Sequence, residues 1–95
     1  MRIIRSTRNF LRDYERLKKS GRRGIENLNI LMKKLEHAEF LDLHCRDHAL
    51  SGNWKGYRDC HVEGDWVLIY SLHQDSEGNE VVTFCATDNH SNLFE

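Results

Sequence analysis

Trp66-Val67-Leu68-Ile69-Tyr70-Ser71-Leu72 is the most continuously apolar run in the chain. Its residues are aromatic, aliphatic or β-branched with a single serine, so both faces are apolar and the run predicts a strand in the middle of a sheet. Glu63-Gly64-Asp65 supplies a turn before it, and Gln74-Asp75-Ser76-Glu77-Gly78-Asn79 supplies one after it. Upstream, Trp54 to Val62 alternates and reads as a strand; downstream, Val81-Val82-Thr83-Phe84-Cys85 reads as another. The C-terminal half is therefore a three-stranded meander, closed by a tail, Ser91 to Phe94, expected as a helical turn or docked coil. Phe40 to Asn53 is irregular and polar and is expected as loop. Further out the period changes to that of a helix. Phe10, Leu11, Tyr14 and Leu17 mark one helix, begun by a Ser6 or Thr7 cap and stopped by Ser20-Gly21. Ile25, Leu28, Leu31, Met32 and Leu35 mark a second, running to about His37. Arg2 to Arg5 reads as a short edge strand. The expected class is α+β: an N-terminal strand and a two-helix hairpin packed on one face of an antiparallel sheet of about four strands. The other face is left to carry a site.

Ninety-five residues make one domain, 1–95, with one modest core. No apolar run approaches the ~20 residues of a membrane span, and the start, Met1-Arg2-Ile3-Ile4-Arg5, is not a secretory signal. The odd cysteine count (Cys45, Cys60, Cys85) excludes a complete disulfide framework, and the expected location is cytoplasmic, with no membrane partner. Charge is divided along the chain. Residues 1–34 carry eleven Lys/Arg against three Asp/Glu, and residues 35–95 carry three against twelve, so a net −1 separates into +8 and −9. A basic first third suits a polyanion such as RNA, or is simply a solvated helix face.

The chemistry-bearing residues cluster around the meander. In its first strand Tyr57, Asp59 and His61 share one face, and Arg58 and Cys60 the other. His48 precedes that strand, Asp65 and Trp66 follow it at the turn, and His90 lies in the tail. Imidazoles titrate near neutrality, so two or three around one phosphodiester would suffice for general acid–base cleavage. Against this, a single His on a strand is commonly a surface residue, and Trp54, Trp66 and Phe94 serve packing as readily as stacking. Arg58 can bind a phosphate or pair with one of the many acids. A zinc-stabilised interaction domain is a rival, drawing on His44, Cys45, His48, Cys60, His61, Cys85 and His90. However, no C-x2-C pair occurs, and Cys45-x2-His48 has no matching partner pair. Cys60 and His61 cannot form a nucleophilic pair, because adjacent strand residues point to opposite faces. Gly-rich phosphate loops are absent.

Asp47-His48-Ala49-Leu50, Gly52-Asn53-Trp54-Lys55-Gly56-Tyr57-Arg58-Asp59-Cys60-His61-Val62-Glu63 and Asp65-Trp66-Val67-Leu68-Ile69-Tyr70 resemble, in order and spacing, the YafQ branch of the RelE toxin superfamily. His90-Ser91-Asn92-Leu93-Phe94 is similar to that branch's closing H-x-x-L-F. The resemblance implies a RelE-like microbial ribonuclease fold and a type II toxin: a ribosome-dependent endoribonuclease that cuts mRNA in the A site without metal or other cofactor. The 2′-hydroxyl would attack its own phosphate, leaving a 2′,3′-cyclic phosphate and a 5′-hydroxyl, with a preference for AAA-type lysine codons. The implied partners are the 70S ribosome with its mRNA and a cognate, DinJ-like antitoxin with a ribbon-helix-helix part. The catalytic set carried over is His48, His61, Asp65 and His90, with His90 as proton donor to the leaving oxygen. Trp66, Phe94, Arg58 and Lys55 are the implied RNA-contacting set. Ribosome docking would fall to Arg12, Arg16, Lys19, Arg22 and Arg23. The family usually carries an Arg shortly before the tail histidine. Here Phe84 to His90 contains none, and Asp88 stands near the site instead. A gyrase-directed toxin of the ParE type and a catalytically inactive relative are the rivals within the fold.

Overall fold

The structure, a computed structural model, describes residues 1–21 and 24–94. The elements are β1 (Ile3–Ser6), α1 (Arg8–Lys19), α2 (Ile25–Glu36), β2 (His48–Ala49), β3 (Arg58–Glu63), β4 (Trp66–Gln74), β5 (Glu80–Asn89) and α3 (His90–Leu93), with 3₁₀ turns at Leu43–Cys45 and Gly52–Trp54. No helix is long and apolar enough to cross a membrane among the described residues.

Helix α1 begins where Thr7 accepts the Phe10 N–H on its hydroxyl (3.1 Å), which satisfies one of the free donors of the first turn. Its end is basic (Arg16, Lys18, Lys19), the favourable sign for the helix dipole. Phe10 and Leu17 turn inward, with Tyr14 packed beside them, while Leu11 is 53% exposed and lies off the apolar stripe. Helix α2 is capped by Gly24, whose φ of +90° lies in the left-handed region that favours glycine. Leu28, Leu31 and Leu35 are its buried face. Both helices cover one face of the sheet through Cys60, Val62, Trp66, Leu68, Tyr70, Val82 and Phe84.

The strand order is β1-β5-β4-β3-β2, so β4 is the central strand. The sheet has five strands rather than about four, because His48–Ala49, read as loop, pairs antiparallel with β3. Two residues are too few to show alternation. It is also mixed rather than antiparallel: β1 runs parallel to β5, since the helical hairpin carries the chain back over the sheet before β5 begins. Further, β3 begins only at Arg58, and Gly52–Trp54 is a 3₁₀ turn. Strand β5 continues past Cys85 to Asn89. A bulge lets it do so: Ile69 pairs with Ala86 and Tyr70 with Phe84, leaving Cys85 as the extra residue. Phe84 therefore joins the helix-side core, while Ala86 lies on the opposite face beside Ile69.

The edge of β5 past the end of β1 is covered by α1 and its cap. Thr7 donates its N–H to the Phe84 carbonyl (3.0 Å) and its hydroxyl to that of Cys85 (2.9 Å). The buried Asp13 accepts the Thr87 N–H (3.2 Å). Side chains thus replace a missing strand, which pairs an edge otherwise open to aggregation.

The turn between β4 and β5 is organised by Asp75, which accepts the N–H groups of Glu77 and Asn79, each at 2.9 Å. The Asn79 N–H bond is the largest of the effects holding its carboxyl below its ordinary value of 3.8. A depressed carboxyl stabilises the fold above its unfolded value and loses that contribution as pH falls through the folded one. Thermal melting should therefore separate wild type from Asp75→Ala at neutral pH. The gap should narrow as pH is lowered beneath 3.8. A gap constant down to strongly acidic pH would exclude the carboxylate as its source.

Candidate active site

The imidazoles are positioned from β3 outward. His48 of β2 lies directly opposite Asp59 of β3, and His61 is two residues further along the same face. That diagonal spacing is about 7–8 Å between backbones. His48 Nδ1 lies 2.7 Å from the Arg46 carbonyl and 3.1 Å from Asp59 Oδ1. The directed bond is to the carbonyl. The Asp59 carboxylate is fully buried, has no directed donor among the described residues, and lies against the half-exposed His48 ring. His61 Nδ1 lies 3.3 Å from the Gly64 carbonyl. In both rings the tautomer with hydrogen on Nδ1 satisfies the carbonyl and leaves the Nε2 lone pair free to take a proton.

His90 arrives from the other side of the same turn. Its N–H donates to the Asp65 carbonyl (2.7 Å), and the Ser91 hydroxyl reaches Asp65 Oδ2 (3.5 Å). The His90 ring lies against Phe94, with centroids 4.5 Å apart. Phe94 meets Trp54 edge-on at 5.8 Å, and Trp54 meets Tyr57 at 5.6 Å. These rings link the tail to the approach to β3. Val67, Ile69 and Ala86, which the pairing sets on the face away from the helices, are buried. That face is thus partly covered rather than wholly open. His90 itself is exposed.

The other residues singled out from sequence are distributed differently. Trp66 is not a stacking residue. It is fully buried in the helix-side core, and its indole N–H donates to Thr87 Oγ1 (2.7 Å). Tryptophan at the start of an apolar strand carries the same sequence signal whichever face it takes. Arg58 lies away from the imidazoles, forked onto Asp47 by two 3.3 Å bonds, while Tyr70 donates to the same carboxylate (2.6 Å). Those bonds raise the Arg58 pKa further above its ordinary value, and burial followed by the Asp47 bond raises that of Tyr70. The group borders a cavity of about 470 Å³, lined also by Leu35, Phe40 and Arg46, that contains none of the three imidazoles. Lys55 is exposed after the Gly52–Trp54 turn.

Of the docking set, Arg12 and Lys19 are exposed on α1. Arg22 and Arg23 lie outside the described residues. Arg16 is committed to Asp13 (3.3 Å) and Asp88 (3.0 Å). Cys60 faces the core, where burial pushes its thiol up, so it offers no nucleophile. Among the described residues no group of three or more His, Cys, Asp or Glu could hold a metal ion. The period of two places Asp59 in the β3 row but does not show its pairing with His48, and residue type alone does not join Trp54 to Tyr57. No local signal gives the register of a two-residue strand or the return path of a tail.

The family described as the bacterial toxin of the type II toxin-antitoxin system, YafQ, matches residues 2–95. The mRNA interferase toxin YafQ of Escherichia coli K12 is 49% identical over 49 residues, 52% of this chain and 48% of that relative, so the aligned part spans about half of the relative's length. The crystal structure of YafQ from E. coli BL21(DE3) superposes with a TM-score of 0.87 at 33% identity, covering all of both chains. The E. coli DinJ–YafQ toxin–antitoxin complex gives a TM-score of 0.83 at 35% identity, over 99% of this chain and 98% of that one.

Proposed function

The chain belongs to the YafQ family of bacterial type II toxins, and from that premise we propose that it is an endoribonuclease that cuts mRNA on the translating ribosome. The observation that carries this reading is the arrangement of His48 and His61 on one sheet face, with His90 bound to the turn that ends β3 and its ring against Phe94. In this reading the 2′-hydroxyl of the substrate gives its proton to Nε2 of His48 or His61. The resulting oxygen attacks the adjacent phosphorus, and the P–O5′ bond breaks. His90 returns a proton to the leaving 5′-oxygen. The products are a 2′,3′-cyclic phosphate and a 5′-hydroxyl, with no change of oxidation state. A second imidazole, when protonated, offsets the charge gathering on the phosphoryl oxygens. Phe94 and Trp54 provide aromatic surface for a base, a mode of recognition tolerant of sequence.

Docking rests on the exposed cations of α1, including Arg8, Arg12, Lys18 and Lys19. A cognate antitoxin similar to DinJ is the proposed partner, since the E. coli relative is seen with DinJ. The proposed site of action is the cytoplasm, where translating ribosomes are.

The direct test is to map cut ends on one mRNA in a translating extract, with and without a block on initiation. Cuts bearing cyclic phosphates, at a fixed position within codons and only during translation, are expected. Translation-independent cuts would remove the ribosome from the reading, and DNA damage without RNA cleavage would favour a gyrase target. Reversing Arg12 and Lys19 to Glu should weaken ribosome binding and reduce the slope of log affinity against log salt by about one for each phosphate that is no longer neutralised. An unchanged slope would leave α1 as solvated surface.

A further inference from the structure

Arg16 is separated from its basic neighbours by what it touches. Its guanidinium reaches two carboxylates, Asp13 on its own helix (3.3 Å) and Asp88 near the end of β5 (3.0 Å). Each is tied onward to β5 or α3. Asp13 is buried and accepts the Thr87 N–H (3.2 Å) through its other oxygen. Asp88 accepts the Asn89 N–H (2.7 Å) and the Asn92 side-chain amide (3.0 Å) on Oδ1, and Arg16 on Oδ2. Asn89 and Asn92 flank or lie within the short α3, which begins with His90 and is followed by Phe94. A four-residue helix has little stability of its own, because nucleating a turn fixes several dihedrals for one hydrogen bond. Its geometry is therefore set by what holds its ends. Asp65 holds one side through the His90 N–H, and Asp88 holds the other. Among the described residues Arg16 is the cation that pairs with both Asp13 and Asp88, and its removal would leave two neighbouring anions facing each other.

We infer that Arg16 is a positioning residue for His90: by holding Asp88 it fixes α3, and with it the His90–Phe94 ring pair, so that it acts on the chemical step rather than on ribosome docking. This rests on the reading of His90 as the proton donor. A catalytic group misplaced by about 1 Å can cost a hundredfold in rate. An exposed docking cation instead changes affinity and its salt dependence.

The test compares full-length wild type with Arg16→Ala, Arg16→Lys, Asp88→Asn and Arg12→Ala by single-turnover cleavage on programmed ribosomes. Arg16→Ala should lower the maximal rate about tenfold with half-saturation within about twofold. Lys should recover part of the rate, and Arg12→Ala should weaken half-saturation instead. Asp88→Asn should lower the rate to a similar extent. The double variant Arg16→Ala/Asp88→Asn should be little worse than either single one, as residues in one network are non-additive. Arg16→Ala behaving as Arg12→Ala, or leaving both parameters unchanged, would overturn the inference.

A second measurement is independent of cleavage. Nuclear Overhauser effects between the His90 and Phe94 rings should weaken or vanish in Arg16→Ala while amide shifts of β3 and β4 hold. Undiminished ring-to-ring effects would refute the coupling. Wild type that fails to cut mRNA would count against the function, and the ring-to-ring effects would still decide the role of Arg16 in the fold.

Discussion

His90→Ala is expected to reduce mRNA cleavage by about 10²–10⁴-fold, the usual contribution of a general acid. The leaving 5′-oxygen must acquire a proton as the P–O bond breaks, and expelling it as a free alkoxide is the costly alternative. His90 is the imidazole best suited to this step. His90 is exposed, its ring lies tilted against Phe94, and its backbone N–H is bonded to Asp65. His48 and His61 instead have Nδ1 held by carbonyls and are arranged to take a proton. Because His90 is exposed, its loss should alter folding stability by no more than about 0.5 kcal/mol. Thermal melting alongside cleavage separates the two effects. Cleavage within threefold of wild type by a correctly folded His90→Ala would remove it as the acid. The second proton transfer would then need to be sought at His48 or His61. Single substitutions of those two should each lower the rate less than His90→Ala if either ring can serve as base.

Trp66→Ala should instead act on the fold. A buried aromatic replaced by alanine costs about 3–5 kcal/mol, against a total stability of roughly 5–15 kcal/mol for a domain of ordinary size. The midpoint of melting moves about 4–8 °C for each kcal/mol at this chain length, so the variant should be largely unfolded at growth temperature or close to it. Trp66→Phe separates the two parts of this cost. It keeps most of the apolar ring but removes the N–H donated to Thr87 Oγ1, worth about 1–3 kcal/mol at a buried site. Phe94→Ala is the contrast. That ring is only half-buried and meets Trp54 and His90, so it should lower cleavage with a smaller shift in melting. Trp66→Ala that melts with wild type but fails to bind RNA would reinstate Trp66 as a stacking residue.

The different fates of these two aromatics show where sequence reading stopped. Trp66 and Phe94 are both aromatic residues beside chemistry-bearing groups, and residue type does not separate them. The pleat of β4 turns Trp66 to the helices, whereas Phe94 is set by how the tail folds back. Arg58 is a similar case. Alternation correctly assigned it to the face away from His61, but its commitment to Asp47 required the return of the segment after α2. Arg16 lies in a basic stretch indistinguishable by composition from Arg12, and only the edge of β5 beside α1 gives it two carboxylates.

The chain's own order of residues determined the helical hairpin, the central position of β4 and the shared face of Asp59 and His61. Each follows from periods of 3.6 or 2 that act between near neighbours. It also carried the linked histidine-bearing segments by which the family is recognised. Tertiary structure alone decided the fifth strand, the parallel direction of β1, the His48–Asp59 pair, the burial of Trp66 and the strut from Arg16 to α3. These depend on register between segments distant in the chain, where a shift of one residue turns a side chain to the opposite face.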